Sequence, residues 1–197
     1  MPEILLSTLN ARYTHASLGL RYLFANLGSL QAQSELLEFT IAMRPLDIAE
    51  QILVKQPKMI GFGVYIWNVA ETMAVVSLLK MLQPQLIIII GGPEVSYEAK
   101  GQNISQQADY VISGAAEQSL RELCTQLLNG QLPKEKFIQS PLIPLAQLNL
   151  PYDYYTDTDL KQRFVYVEAS RGCPFKCEFC LSALDKTAYP FELTRFL

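Results

Sequence analysis

Short apolar runs rich in β-branched residues alternate along this chain with longer segments of helical period, and no other feature constrains the fold as strongly. The apolar runs predict strands at residues 4–8, 36–39, 59–64, 86–90 and 110–112. The periodic segments predict helices at residues 17–27, 45–54, 69–82, 99–107 and 117–128. A chain that alternates in this way forms a parallel sheet covered by helices on both faces. We therefore expect an α/β fold built on a doubly wound, flavodoxin-like sheet with strand order 2-1-3-4-5.

The third predicted helix has recognisable signals at both ends. Asn68 precedes its first residue and is expected to cap the helix by accepting a backbone N–H. Pro84 follows its last turn and is expected to end it.

The composition excludes several classes of partner. Of the 197 residues, 50% are hydrophobic and 18% are charged, so the chain can bury a substantial core. The formal net charge is −3, and no cluster of Lys and Arg offsets it, so we expect no nucleic-acid partner. The N-terminal residues lack the pattern of a secretion signal, and the apolar run at 86–90 is too short to span a bilayer. We expect a cytoplasmic location and no membrane partner.

Small residues follow three of the predicted strands. They form the segments Gly61-Phe62-Gly63, Gly91-Gly92-Pro93 and Ser113-Gly114-Ala115-Ala116. Ligands of doubly wound sheets bind outside the carboxyl ends of the strands, where glycine lets a ligand approach the backbone closely. The three segments together predict a large ligand at this edge, although any one glycine also suits a tight turn without a ligand.

Three cysteines, Cys173, Cys177 and Cys180, have the spacing C-x₃-C-x₂-C. Three thiolates can hold three irons of a [4Fe–4S] cluster, which leaves the fourth iron open to a substrate. A structural zinc site would need a fourth ligand, Cys124 or His15, and both are distant in sequence. A disulfide is the other alternative, but clustered cysteines in a chain without a secretion signal favour metal binding. Cys124 itself lies in a periodic segment and is interpreted as a core residue.

The run of residues 171–180, RGCPFKCEFC, resembles the motif of the radical S-adenosylmethionine superfamily. The resemblance implies that Cys173, Cys177 and Cys180 ligate the cluster and that Phe179 lies near the adenine of S-adenosylmethionine. It also implies that an electron donor reduces the cluster, which then cleaves S-adenosylmethionine to a 5′-deoxyadenosyl radical.

Two segments, GGPE at residues 91–94 and DYVISGAAE at residues 109–117, resemble the cobalamin-binding domain that precedes many radical S-adenosylmethionine barrels. The resemblance implies that cobalamin is a further cofactor, with contacts at Gly63, Tyr65, Gly91, Gly92, Pro93, Gly114 and Glu117. The family's G-E-x-E is Gly114-Ala115-Ala116-Glu117 here, so one acidic contact to the nucleotide tail of cobalamin is missing. Residues 13–19, YTHASLG, depart from the D-x-H-x-x-G motif, which implies cobalamin without an axial histidine.

Three further side chains lie near the predicted ligand edge. His15, the single histidine, follows the first strand, and a hydrogen bond within its own loop is favoured over metal ligation. Tyr65 and Trp67 follow the third strand, where they could form a wall for the corrin ring or pack on the neighbouring helix.

The chain divides into three parts by composition. Residues 1–130 are predicted to form the cobalamin-binding, Rossmann-like domain, and residues 131–162 a proline-rich linker whose polar stretch at 153–159 is interpreted as solvated surface. Residues 163–197 are expected to begin a partial (β/α) barrel, with a strand at 164–170 before the cysteines. Too few residues follow Cys180 for the repeated βα units of a barrel. We therefore expect a truncated barrel, a cysteine loop with little to bury it, and no activity from the fragment alone.

Two functions follow from these patterns. The first is the N-terminal part of a radical S-adenosylmethionine enzyme that uses cobalamin, with methyl transfer to an unknown substrate as the expected chemistry. The alternative is a degenerate Rossmann-like module that delivers substrate or contacts another domain without bound cobalamin. A simple electron carrier would need a fourth nearby cysteine, which the sequence lacks.

Overall fold

The computed structural model describes residues 1–180 and 187–196, and within them six parallel strands form one sheet. The strands are β1 (Ile4–Asn10), β2 (Ser34–Thr40), β3 (Met59–Gly63), β4 (Ile87–Gly91), β5 (Tyr110–Ser113) and β6 (Phe137–Gln139). Their order is β2-β1-β3-β4-β5-β6. This confirms the α/β class and the predicted flavodoxin-like order. Strand β6, which the sequence did not predict, extends the sheet from within the segment assigned to the linker.

In the described residues, five helices connect these strands and cover both faces of the sheet, and two short helices follow the last strand. They are α1 (Leu18–Ala25), α2 (Pro45–Val54), α3 (Val69–Leu82), α4 (Asn103–Gln107), α5 (Glu117–Leu128), α6 (Asp157–Gln162) and α7 (Leu193–Phe196). The helix predicted at 99–107 is divided into a 3₁₀ turn, Ala99–Gly101, and α4. In the described part of the chain, no helix has both the length and the apolar character needed to cross a membrane.

Two hydrophobic cores lie on opposite faces of the sheet. One packs α2 and α3 against residues such as Leu5, Ile60 and Ile88. The other packs α1 and α5 against the alternate residues Leu6, Met59 and Ile89. Both faces are buried because each strand contributes apolar residues at successive positions, which point in opposite directions. Cys124 is fully buried in the second core, as predicted, and burial raises the pKa of its thiol to about 12.

Asn68 precedes helix α3, but its side chain does not cap the helix as predicted. Its Oδ1 accepts from the backbone N–H of Tyr65, and its Nδ2 donates to the carbonyls of Leu9 and Gly63 at 3.0 and 3.2 Å. Asn68 is completely buried, so its polar atoms need partners inside the protein, and these loop and strand carbonyls supply them. The residue therefore ties the carboxyl ends of β1 and β3 together.

The strand predicted at 164–170 does not form, and this expectation was wrong. Phe164 makes an isolated parallel bridge to His15, and only Ser170–Arg171 (β7) is a strand, paired antiparallel with Tyr189–Pro190 (β8). In the segment between Phe164 and Ser170, tyrosine hydroxyls take the place of a neighbouring strand. The hydroxyl of Tyr155 accepts from the N–H of Tyr166 and donates to its carbonyl. The alternating pattern was genuine, but its backbone groups are satisfied by side chains.

A buried ion network fastens the segment before β7 to the sheet domain. The side chains of Arg21, Glu38, Asp159 and Arg163 are between 4% and 10% exposed. Arg21 and Arg163 each contact both carboxylates at 2.7–2.9 Å. The interpretation of residues 153–159 as solvated surface is therefore wrong for Tyr155 and Asp159, which are buried, although Asp153 and Asp157 are exposed.

Candidate functional site

On one face of the sheet, glycines occupy positions near the carboxyl ends of the central strands. In the inner row, Leu6 pairs with Gly61 and Gly61 with Ile89; in the outer row, Thr8 pairs with Gly63 and Gly63 with Gly91. The missing side chains leave a cavity of about 370 Å³ between the sheet and helices α1 and α5. Its volume lies within the range of roughly 300–1,000 Å³ that is typical of small-molecule sites.

The turn after β4 requires glycine. Gly92 has φ +115°, and a Cβ there would lie 2.5 Å from the carbonyl oxygen of Val64. Ser96 holds this turn to the next one: its Oγ donates to the Gly92 carbonyl at 2.8 Å and accepts from the Gly114 N–H at 3.2 Å. The β4 and β5 turns therefore form one rigid rim of the cavity.

The structure brings together the seven residues that the family resemblance assigned as cobalamin contacts. All of them line the 370 Å³ cavity: Gly63, Tyr65, Gly91, Gly92, Pro93, Gly114 and Glu117. Ala115 and Ala116, which replace part of the family's acidic motif, line it as well. The strand ends thus contribute backbone and small side chains to the cavity wall. Aliphatic and aromatic side chains form much of the rest, and charged side chains, including Glu117, lie at one side.

Glu117 is the first residue of α5, and its side chain is 5% exposed. Its Oε1 accepts a 2.7 Å ion pair from Arg171, whereas its Oε2 has no hydrogen-bond partner among the described residues. A buried oxygen without a partner is costly, so a donor on a ligand in the cavity would satisfy it. The carboxylate also lies at a helix N-terminus, where the helix dipole favours negative charge.

Arg171 is a residue of the site that the sequence analysis did not identify. Its guanidinium lines the cavity, pairs with Glu117 and Glu168, and lies 4.7 Å from the centre of the Tyr22 ring. Burial alone would lower the pKa of Arg171, but the two carboxylates outweigh it and raise the pKa. The sequence shows that Arg171 lies two residues before the first cysteine of the motif, but it does not show that Arg171 pairs with Glu117 on α5.

A second cavity, of about 420 Å³, adjoins the first at Gly19 and Tyr65. Tyr65 and Trp67 stack in parallel there, with ring centres 4.5 Å apart and an angle of 9° between the rings. Trp67 is 47% exposed, so its free face is open to a ligand or to solvent. The two rings thus stack on each other in the wall of this cavity, an arrangement that the sequence analysis did not predict, and their contact with a corrin ring stays a prediction.

His15 also lines the second cavity, and its side chain does not bond to its own loop as favoured above. Its Nδ1 lies 2.5 Å from the hydroxyl oxygen of Tyr166, and its ring packs near Phe164 and Tyr166. The parallel bridge between His15 and Phe164 brings the two segments together. The imidazole thus connects the loop after β1 to the segment that leads to the cysteines.

The three cysteines of the motif lie away from both cavity walls. Cys173 is half-buried, and Cys177 and Cys180 are exposed, as is Phe179 at 94%. Among residues 1–180 and 187–196, no three His, Cys, Asp or Glu side chains are grouped closely enough to hold a metal ion. The assignment of these cysteines and of Phe179 to the cluster and to S-adenosylmethionine stays a prediction.

The curated proteins to which the chain is similar include methyltransferases. The chain is 26% identical over 160 residues to an uncharacterized methyltransferase of Pyrococcus horikoshii, covering 71% of this chain and 34% of that protein. It is 25% identical over 166 residues to the cobalamin-dependent radical SAM methyltransferase TokK of Streptomyces tokunonensis, covering 71% of this chain and 24% of TokK. The chain therefore spans about a third of the length of the first relative and about a quarter of the length of TokK.

A solved structure shares the fold over the whole chain. It is the radical S-adenosylmethionine methyltransferase TsrM from Kitasatospora setae, with cobalamin and a [4Fe–4S] cluster bound. The TM-score is 0.69 at 16% identity, covering 100% of this chain and 46% of TsrM. The family profile of the B12 binding domain matches residues 5–124, the part that forms the first five strands, most of the cavity wall and most of α5. The chain therefore belongs to the B12 binding domain family.

Proposed function

We propose that this chain binds cobalamin, with the nucleotide tail in the 370 Å³ cavity and the corrin ring outside it, over the carboxyl edge of the sheet. The observation that carries the proposal is the paired residues Gly63 and Gly91, whose missing side chains leave the cavity open beside the glycine-containing turn at Gly92. The cavity is too small to enclose a corrin macrocycle as well as the tail. The stacked Tyr65 and Trp67 lie where the ring would rest.

The residues present fit this cofactor. A Cβ on Gly91 would lie 3.2 Å from the carbonyl oxygen of Ile112, so the backbone there is exposed to a ligand only because the side chain is missing. Glu117 Oε2 can accept a hydrogen bond from a hydroxyl or amide group of the tail. Aliphatic side chains of β1, α1 and α5 supply the apolar surface of the cavity.

We further propose that the chain is part of a radical S-adenosylmethionine methyltransferase. Cys173, Cys177 and Cys180 would hold a [4Fe–4S] cluster, and Phe179 would contact the adenine of S-adenosylmethionine. A cluster held in this way supplies the electron that cleaves S-adenosylmethionine, and cobalamin supplies a carrier for the methyl group. The proposal is supported by the spacing of the three thiols and by relatives that are methyltransferases. The substrate and the electron donor are partners still to be found.

Cobalamin binding is tested by adding aquacobalamin to the chain and following the visible corrin bands through gel filtration. We expect the bands to elute with the protein. Gly63→Val would add a branched side chain to the cavity wall, and its Cβ would meet its neighbours at ordinary distances of 3.4–3.5 Å. This variant should fold but bind cobalamin at least about tenfold more weakly, because its methyl groups occupy space that the ligand needs.

Gly101→Val is the matched control, because nothing lies within 4 Å of a Cβ at residue 101, outside the cavity. It should retain cobalamin like the unmodified chain. If the unmodified chain elutes free of corrin, it is the degenerate module considered above and the cobalamin proposal is wrong.

The cluster is tested by anaerobic reconstitution with iron and sulfide, followed by iron analysis and Mössbauer spectroscopy. Replacement of Cys173, Cys177 or Cys180 by Ser should abolish the cluster signal. Cys124→Ser is the control, because that thiol is fully buried in the α1/α5 core. Loss of iron in the Cys124 variant alone would contradict the assignment. Formation of 5′-deoxyadenosine by the intact parent protein tests the activity itself.

A further inference from the structure

The strands β7 and β8 form a stem at the base of the cysteine segment. Ser170 pairs with Pro190 and Arg171 with Tyr189, and the N–H of Phe191 donates to the carbonyl of Ala169 at 3.0 Å. The cysteines are inserted between the two strands in sequence. The position of the stem therefore sets where the cysteine segment leaves the sheet domain and where it returns.

Both strands of the stem are held by residues that line the cavity. Arg171 pairs with Glu117 at 2.7 Å and places its guanidinium 4.7 Å from the centre of the Tyr22 ring. Phe191, which follows β8 directly, stacks on the same tyrosine with ring centres 6.3 Å apart. Tyr22 and Glu117 belong to α1 and α5, and both line the 370 Å³ cavity. A ligand in that cavity would touch the residues on which the stem rests.

The hydrogen-bonding capacity of Glu117 at this contact is only partly used by the protein. Glu117 gives one oxygen to Arg171 and keeps the other without a partner among the described residues. A donor from a ligand would fix the carboxylate in the orientation that Arg171 needs, because both oxygens would then be held. Arg171 in turn holds Glu117 against the cavity and is held itself by Glu168 at 3.0 Å.

We propose that the Arg171–Glu117 pair couples the cavity to the cysteine segment, so that a bound nucleotide tail and a docked stem stabilise each other. Arg171 acts as a positioning residue for both. The inference rests on the proposed cobalamin site. Such coupling is reciprocal: the factor by which cobalamin stabilises the docked stem equals the factor by which the docked stem strengthens cobalamin binding.

The test is hydrogen exchange of the unmodified chain with and without aquacobalamin, read by mass spectrometry on peptides that contain residues 168–172 and 189–191. We expect exchange in these peptides to slow about fivefold with cobalamin, the lower end of ordinary coupling factors. A peptide from α3, on the opposite face of the sheet, should not change.

Arg171→Leu should weaken cobalamin binding by the same factor of about five and abolish the effect of cobalamin on exchange at the stem. Glu117→Gln keeps the size of the side chain and should act in the same direction if the first variant does not fold. Arg44→Leu is the control: it removes an arginine that is 79% exposed and pairs with Asp47, away from the cavity.

Three results are distinguishable. Binding with slower exchange at the stem, lost in Arg171→Leu, supports the coupling. Binding that leaves stem exchange unchanged, or an Arg171 variant that behaves like the unmodified chain, overturns the coupling but not the cobalamin site. Failure of the unmodified chain to bind aquacobalamin overturns the proposed function and this inference together.

Discussion

Arg21 on helix α1 donates a 2.8 Å hydrogen bond to Asp159 on helix α6, although 138 residues separate them in sequence. The same guanidinium bonds Glu38 at 2.7 Å, and Arg163 closes the network by contacting both carboxylates. Helix α6 is thereby fixed to the sheet domain immediately before the segment that leads to the cysteines. A buried network of this kind is sensitive to the loss of any one member, because the remaining charges are left without compensation.

Asp159→Asn should lower the free energy of unfolding at pH 7 by about 2 kcal/mol. Burial by itself would raise the pKa of Asp159, but hydrogen bonds from the Thr156 backbone and from Arg163 outweigh it and lower the pKa from 3.8 to about 2. A carboxylate whose pKa is lowered on folding stabilises the protein above its unfolded pKa. Its contribution of about 2 kcal/mol should be lost as the pH falls from about 4 to about 2.

Urea denaturation at a series of pH values measures this effect. The stability difference between the unmodified chain and Asp159→Asn should shrink as the pH falls through that window. Asp157→Asn is the control on the same helix turn, because Asp157 is exposed, and it should cost no more than about 0.5 kcal/mol. A difference at Asp159 that is independent of pH would contradict the assignment of the effect to its charge.

Gly92→Ala should destabilise the protein by about 2 kcal/mol or more and weaken cobalamin binding. The added Cβ would lie 2.5 Å from the Val64 carbonyl oxygen, and φ of +115° is unfavourable for any residue with a Cβ. Thermal unfolding and the corrin absorbance check the two effects. Gly101→Ala, which meets no atom within 4 Å, should be close to neutral in both; equal behaviour of the two variants would show that the turn adapts.

Asn68→Ala should lower the free energy of unfolding by about 2–3 kcal/mol, because it leaves the partly buried N–H of Tyr65 and the buried carbonyl of Leu9 without their side-chain partner. Urea denaturation measures the loss. Asn129→Ala, at an exposed position after α5, is the control and should change stability by less than about 0.5 kcal/mol. A small effect at Asn68 would mean that water can replace its hydrogen bonds.

Cobalamin bound to this chain should lack an axial histidine. Nδ1 of His15 contacts the Tyr166 hydroxyl, which leaves Nε2 as the ring nitrogen that a metal could use. The sequence, however, lacks the motif that supplies a histidine ligand in related domains. Electron paramagnetic resonance of bound cob(II)alamin should therefore show no nitrogen splitting from the protein. The spectrum of His15→Ala should be the same as that of the unmodified chain. A spectrum that changes with this substitution would identify His15 as a ligand.

The sheet was predictable because its signals are local. The run Ile87–Gly91 is β-branched and ends in glycine, and Val69–Leu82 has the length and period of a helix, so each could be recognised without knowledge of its neighbours. Strand β6 was missed because Phe137–Gln139 is three residues long and lies among prolines. Such a short run gives no period to detect.

The glycines in the cavity wall could be predicted from the sequence, but the ion pairs could not. The glycine-containing strand ends indicated where Gly63 and Gly91 would meet a ligand, because carboxyl ends of parallel strands share one edge. The pairs Arg171–Glu117 and Arg21–Asp159 depend on which of many charged residues the tertiary fold brings together. Nothing in the local sequence around Arg171 selects Glu117 from the other acidic residues.

The paired residues Gly63 and Gly91 restrict the substitutions that the cavity can accept. A side chain added at either position would reduce the free volume of the cavity, whereas the aliphatic residues around it can exchange for others of similar size. The capacity of the cavity is thus determined by residues that contribute no side chain to it.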